Sequence, residues 1–425
     1  MSKFFKMPLL AALAATAATP AFAQLKAGEK PTEQQIATGE APATAFSEAE
    51  TVYRGLQGTM VARKWTRDAA EDLLGYIESA GDEGLMPSDY GPEILRAALA
   101  GRDEVALDSA ATDSFLRLSA DLALGNVPIT ARDDWHMKDP DLDGAQQFAL
   151  MDRAIQQGDV RGALDSLLPT HLQYAELKGV LAKAPDDATR QKARVNLERW
   201  RWLPRELGPR YVIVNVPAYT VALVENGHVV ARHRAVVGAT KTPTPQLSAV
   251  ATGVIFNPWW EVPASIAGEV KGKKGYVSVK TPEGGVRYRQ PPGAGNSLGR
   301  MKVVMPNNYA IYLHDTPSKS LFARDARAFS HGCIRTQDAL GFARILLGNP
   351  EWDQARVSQT IASGKTVKAD TIVPTPVYIT YFTAAAAKDG AGLVPYKDVY
   401  GRDTKVVAAL EQPGSTMTLA SATRN

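Results

Sequence analysis

The sequence predicts an α+β chain in which an all-α N-terminal domain precedes a mainly β domain with a capping insertion. Three patterns carry that prediction. Between about Phe46 and Lys192 apolar residues recur every three or four positions, the period of helices with one buried face. From Arg210 the pattern changes to strand-like runs, with Asn226-Gly227 between two of them as a hairpin turn. Residues 264–299 interrupt those runs with a stretch rich in Gly, Lys and Pro. A chain of 425 residues has room for two domains or more.

At the N-terminus, Lys3 and Lys6 precede the mostly apolar run Met7 to Ala18, and Ala21-Phe22-Ala23 has the form of a cleavage site. Residues 1–23 read as a signal peptide cut after Ala23. The run is too short for a membrane anchor, and no later stretch approaches the roughly 18 unbroken apolar residues of a span. No cysteine follows the cleavage site, which argues against a lipoprotein. The formal charge of +3 falls to +1 once Lys3 and Lys6 leave. Charge therefore gives no reason to expect a nucleic-acid partner. Residues 24–45, rich in Ala, Thr, Pro, Glu and Lys, read as a disordered linker, and 411–425 as a disordered tail.

The helical domain is expected over 46–195. Ala69, Leu73, Leu74 and Ile77 mark one helix, and Ile94, Leu95, Ala98 and Leu99 a second. Phe115 to Leu124 marks a third, ending at Gly125. Shorter helices are expected at 149–157, 160–168 and 172–182. Residues 184–190 read as a short charged link, and Asn196 to Pro204 as a bridge whose tryptophans pack a domain junction. The isolated His136 and His171 read as structural, and His228 and His233 as surface residues on the hairpin. The β domain is expected over 196–410. Its strands are 211–216, 219–224, 229–237, 249–256, 309–313 and 376–382, with a helix over 352–363. The insertion at 264–299 reads either as a solvated loop or as a mobile cap whose lysines attract carboxylates.

Chemistry concentrates in Ser330-His331-Gly332-Cys333-Ile334-Arg335, which holds the only cysteine. A thiolate is a strong nucleophile, but a free thiol is only a few per cent ionised at neutral pH and needs a base. His314, in Tyr312-Leu313-His314-Asp315-Thr316-Pro317, is a candidate base. Gly332 leaves room for a carbonyl to approach, so the amides near Cys333 can form an oxyanion hole. A helix with Thr336 as N-cap, ending at Gly348, would place a positive terminus near Cys333 and lower its pKa. No histidine follows Cys333, which disfavours cysteine peptidases that place cysteine before histidine. A metal site from His314, His331 and Cys333 lacks a second cysteine pair or a spaced histidine pair, so no metal is expected.

These two strings, with Phe322, Arg324 and Arg327 between them, resemble the active-site signature of the L,D-transpeptidases (YkuD-type catalytic domain). Gly84-Leu85-x-Pro87-x-x-Tyr90 and Leu168-Pro169-x-x-x-x-Tyr174-x-x-Leu177 resemble the helical scaffold of the large periplasmic subgroup. The short link at 183–195 departs from relatives that carry a peptidoglycan-binding module there. The resemblance implies a YkuD-like β-sandwich for the second domain, a cap at 264–299 and a periplasmic location. It implies peptidoglycan stem peptides as partners, with Cys333 as nucleophile, His314 as general base and Gly332 as oxyanion amide. The Asp315 backbone would orient His314, while Ser330, His331, Arg335 and Tyr312 would shape the site and hold substrate. No cofactor is implied. Stem-peptide crosslinking of 3-3 or 1-3 type is expected, with hydrolysis of stems or a non-catalytic envelope scaffold as rivals. Acylation by carbapenems is also implied.

Overall fold

The computed structural model describes residues 62–412 apart from 139–141, 283, 389 and 391. The expected signal peptide, the linker, the first residues of the helical domain and the tail beyond 412 lie outside the described residues.

The helical region comprises α1 (Arg67–Glu78), α2 (Pro92–Ala100), α3 (Glu104–Leu124), α4 (Gly144–Gln157), α5 (Val160–Asp165), α6 (Leu172–Ala182) and α7 (Asp187–Arg201). Thr66, Asp103, Asp143 and Asp186 cap four of these N-termini with side-chain oxygens, each worth about 1 kcal/mol. Leu73, Ile77, Leu95, Phe115, Leu116 and Leu122 bury their side chains in one core. The third helix begins at Glu104, well before the expected Phe115. Its first turn exposes Val105, so the cap at Asp103 starts it where no buried stripe signals it. The charged link expected at 184–190 runs into α7, which begins at Asp187 behind the cap at Asp186.

The β region contains β1 (Arg210–Asn215), β2 (Thr220–Glu225), β3 (His228–Gly238), β4 (Leu247–Phe256), β5 (Trp260–Glu261), α8 (Ala267–Val270), β6 (Val277–Lys280), β7 (Val286–Gln290), β8 (Met301–Val304), β9 (Leu313–His314), β10 (Ala328–Ser330), β11 (Ile334–Thr336), α9 (Ala339–Leu347), α10 (Gln354–Ala362), β12 (Val367–Thr380), β13 (Ala384–Ala386), β14 (Leu393–Pro395) and α11 (Asp403–Glu411). Asn226 and Gly227 both take positive φ, as the expected hairpin turn requires. The main sheet runs β3-β11-β9-β8-β4-β12-β1-β2 and closes through β2–β3. It is a mixed eight-stranded barrel, so the two faces expected of a sandwich belong to one continuous ring. Val214, Val221, Val237, Val254, Phe256 and Ile334 fill its core together with Phe342 and Leu346 of α9.

Residues 264–299 hold β6, β7 and α8 rather than an extended loop: β6 and β7 join β5, just before them, in a separate three-stranded sheet beside α8. Its base is tied down by Asn296, whose amide donates to the carbonyls of Pro258 and Pro291 at 3.1 and 2.9 Å.

A third core joins the helical and β regions. Trp200 and Trp202 of the bridging segment pack there with Trp135, Tyr174, Leu197, Tyr378 and Phe382. Trp200 stacks between His171 and Phe382. Glu198, fully buried, accepts from Val127 N and Trp202 Nε1 at 2.8 Å and pairs with Arg201 at 3.1 Å. The expected structural role of His171 holds, as it caps α6. His228 is exposed, but His233 is half-buried with its ring edge-on to Phe342, a contact made across the barrel and invisible in the hairpin's own sequence.

Candidate active site

Two short parallel strands build the site. In β9 and β11, Leu313 pairs with Ile334 and His314 with Arg335. Leu313 and Ile334 point into the barrel core. Strand alternation therefore turns Tyr312, His314, Cys333 and Arg335 to the opposite face, side by side. On the far side of β9, Lys302 of β8 pairs with His314. The sequence singled out four of these five and missed Lys302, although its place between buried Met301 and Val303 is the signal that would have found it.

Buried His314 is held by its neighbour. Its Nδ1 lies 2.5 Å from the Asp315 carbonyl. A carbonyl only accepts, so Nδ1 carries the proton and Nε2 is left with its lone pair. Burial, then the Arg335 charge, lowers the imidazole pKa to about 4, against the carbonyls of Asp315 and Leu298. Asp315 is fixed in turn. Its carboxylate accepts from Arg300 N at 2.8 Å and pairs with Lys319. Gly299, at φ +63°, makes room for it, since a Cβ there would come within 2.4 Å of Asp315 Oδ2.

Cys333 is partly buried. Among the described residues, its Sγ has the Ala310 carbonyl as hydrogen-bond partner, at 3.6 Å. Burial pushes the thiol up to about 11, opposed by Tyr312, Arg335 and Lys302. This reverses the expected lowering by a helix terminus. β11 intervenes, Asp338 rather than Thr336 caps α9, and Thr336 is a buried strand residue. Asp338 takes φ +45° to bring its carboxylate onto Gly341 N.

The cysteine loop is tightly laced. Ser330 Oγ accepts from Gly332 N at 3.2 Å and donates to the Cys333 carbonyl at 2.5 Å. Its hydroxyl thus holds the loop rather than facing a ligand, and the Gly332 amide is already engaged. Gly332 sits at φ +108°, and its carbonyl accepts from Thr244 Oγ1 at 2.7 Å. His331 is exposed, with its ring 3.5 Å from Glu269 of α8 in the cap. Tyr312 lies edge-on to His314 with ring centroids 5.8 Å apart. Burial pushes its phenol pKa up, and the neighbouring Cys333 acts in the same direction. Lys302 Nζ stands 5.4 Å from the Tyr312 ring. The Arg335 guanidinium is half-buried, and its Nε is buried with no hydrogen-bond partner among the described residues. The arrangement offers a thiol, a lone-pair base, a phenol and two cations on one surface beneath a cap.

Comparison with known proteins follows the same division. The L,D-transpeptidase catalytic domain family, YkuD, matches residues 209–379, and the Scaffold domain family matches 58–181. A Haemophilus influenzae protein provisionally named an L,D-transpeptidase is 31% identical over 242 residues, 51% of this chain and 49% of that protein. The chain thus spans about half the length of that relative. Among solved structures, an L,D-transpeptidase from Mycobacterium smegmatis is 16% identical, with a TM-score of 0.22, covering 40% of this chain and 58% of that one. An Enterococcus faecium L,D-transpeptidase is 14% identical, with a TM-score of 0.23, covering 42% and 52%.

Proposed function

Because the YkuD family of L,D-transpeptidase catalytic domains matches residues 209–379, behind a Scaffold-domain match at 58–181, we propose that the chain is a peptidoglycan L,D-transpeptidase working through Cys333 and His314. One observation carries the assignment of roles. The two side chains share one face of adjacent parallel strands, and the Asp315 carbonyl holds His314 in the tautomer that leaves Nε2 free to take a proton.

In the proposed reaction, sulfur attacks an amide carbonyl of a donor stem peptide while its proton passes to His314 Nε2. The tetrahedral oxyanion faces the Cys333 amide, since Ser330 engages that of Gly332. Collapse breaks the C–N bond, the departing amine takes the proton from Nε2, and a thioester remains. A side-chain amine of an acceptor stem then attacks the thioester and gives its proton to Nε2; the C–S bond breaks as the new amide forms, and sulfur takes that proton back, restoring the thiol. Lys302 and Arg335 supply positive charge beside the reacting atoms, suited to a carboxylate-bearing peptide. Tyr312 and the cap edge at Trp260 wall the cleft. The signal-like features of residues 1–23 support a periplasmic site of action, and the same thiol is expected to be acylated by carbapenems.

The test is mass spectrometry of muropeptides after incubating the protein with purified sacculi, beside Cys333→Ala. Cysteine-dependent crosslinked dimers support the proposal, and fragmentation tells whether the donor bond followed the first or third stem residue. Shortened monomers without dimers would make it a hydrolase. No cysteine-dependent change would leave a non-catalytic envelope scaffold.

A further inference from the structure

Two loops enclose the thiol, and both are held by one segment of the helical region. The first loop, 305–312, carries Ala310, whose carbonyl accepts from Cys333 Sγ. Ala310 sits at φ +53°, a conformation that costs a non-glycine residue energy unless its surroundings impose it. Asn307 fixes the loop's ends, donating to the carbonyls of Met305 and Ile311 at 2.8 and 2.7 Å. The loop's outer face is covered from elsewhere. The Tyr309 ring stacks on His136 with centroids 4.2 Å apart and planes 25° from parallel.

The second loop, 242–246, holds the other side of the cysteine turn. Thr242 Oγ1 donates to the Ser330 carbonyl at 3.0 Å, and Thr244 Oγ1 to the Gly332 carbonyl at 2.7 Å. Two residues on, Gln246 is zipped to the same helical-region segment. His136 N donates to Gln246 O at 2.8 Å, Gln246 N to Asp134 O at 2.9 Å, and Gln246 Nε2 to Asp133 O at 2.9 Å. The segment is itself anchored. Asp134 takes φ +56°, accepts from His136 Nε2 at 2.8 Å and pairs with Arg402 at 3.0 Å.

We propose that residues 133–136 are a two-armed brace that sets the position of the Cys333 thiol, with His136 and Gln246 as positioning residues. One arm runs from His136 through Tyr309 to the Ala310 carbonyl at Sγ. The other runs from Gln246 through Thr244 to the Gly332 carbonyl. His136 and Gln246 themselves stand back from the reacting atoms and act through these loops. They act on the direction in which sulfur points, and so on its alignment with a donor carbonyl. Residue 136 lies within the match to the Scaffold family, so the brace gives that region a part in the reaction besides packing. The inference rests on Cys333 being the nucleophile.

The test uses the full chain with His136→Ala, His136→Phe, Tyr309→Leu and Gln246→Ala. Cys333 is the only thiol, so its alkylation by iodoacetamide across pH reads its environment without any turnover assay. Removing an arm frees the loop and admits water to sulfur. Alkylation at pH 8 should quicken about threefold or more and its inflection move to lower pH. Crosslinking turnover should fall about tenfold with KM unchanged, because misalignment costs the chemical step and not binding. His136→Phe, which restores the ring stack but not the bond to Asp134, should recover most of what His136→Ala loses in both readouts. Unchanged alkylation and turnover in His136→Ala and Tyr309→Leu would overturn the brace. So would altered alkylation with normal turnover, or a Phe variant as impaired as the Ala variant. Should His136→Ala fold poorly, Tyr309→Leu carries the test, since that ring is 45% exposed. If Cys333→Ala instead keeps full turnover, the nucleophile assignment fails, an outcome the alkylation profile separates from failure of the brace.

Discussion

The low pKa of His314 has a measurable consequence for the rate. Acylation needs a neutral Nε2, so in the free enzyme the acid limb of the pH–rate profile follows this imidazole. With a pKa of about 4, about 97% of His314 is neutral at pH 5.5, against about 9% for an unperturbed histidine. The structure therefore predicts about tenfold more activity at pH 5.5 than an exposed histidine would allow. The alkaline limb should lie near the thiol's value of about 11, leaving a broad plateau between. Arg335 is the second cause of the depression, after burial. Arg335→Gln should move the acid limb upward, whatever it does to the plateau rate. The assay is the second-order rate of acylation by a carbapenem from pH 4 to 8, followed by β-lactam absorbance, with thermal unfolding checked at each pH. An acid limb between 6 and 7 in the parent protein would refute the reasoning, and so would a limb that stays put or falls in Arg335→Gln.

The same shift enters stability. A depressed His314 favours the folded state fully above pH 6.5, and that advantage is lost as pH falls towards 4, by about 3 kcal/mol. Urea unfolding at pH 7.5 and 4.5 should show this loss in the parent and not in His314→Asn. Thr244→Val leaves the Gly238 amide and Gly332 carbonyl without their buried partner. It should cost about 2–4 kcal/mol in denaturant unfolding and most of the acylation rate. Gly299→Ala would thrust a methyl into the Asp315 carboxylate, and should slow acylation about a hundredfold by displacing the carbonyl that holds His314. Glu198→Ala strands buried Arg201 and should cost about 3–5 kcal/mol, read from the urea midpoint.

What could be read in the chain and what could not divide along a physical line. The Asn226-Gly227 hairpin, the buried stripe of α1 and the outward strip of Tyr312 and His314 follow from local dihedral and periodic rules, and a sequence displays those. The start of α3 escaped because its first turn is solvent-facing and only a cap marks it. α7 escaped because Asn196, Glu198, Arg199 and Arg201 are buried beside Val195, Leu197 and Trp200, and those four read as polar until their partners are known. Ala310 had no signal at all, since nothing in an alanine announces a left-handed backbone. The direction of the Cys333 shift also escaped, because it depends on which groups the fold stacks over the thiol.

That direction bears on how the site works. In the resting state the thiol sits near 11 and the imidazole near 4, so a preformed thiolate–imidazolium pair is the disfavoured arrangement. Sulfur instead rests protonated, with the Ala310 carbonyl as its partner at 3.6 Å. In the proposed reaction, attack then requires that a substrate draw sulfur off that carbonyl and that its proton pass to Nε2 as the new bond forms. A carboxylate from substrate beside Lys302 and Arg335 would assist, since neutralising Arg335 removes the charge that holds the imidazole down and makes it the better base when it is needed. The same ordering protects a lone thiol from oxidation. At neutral pH the thiolate fraction is about 0.01%, against a few per cent for a free cysteine, and oxidation runs through the thiolate. On the proposed function, reactivity is thus withheld in the resting state, and the contacts that withhold it are those proposed to aim the sulfur.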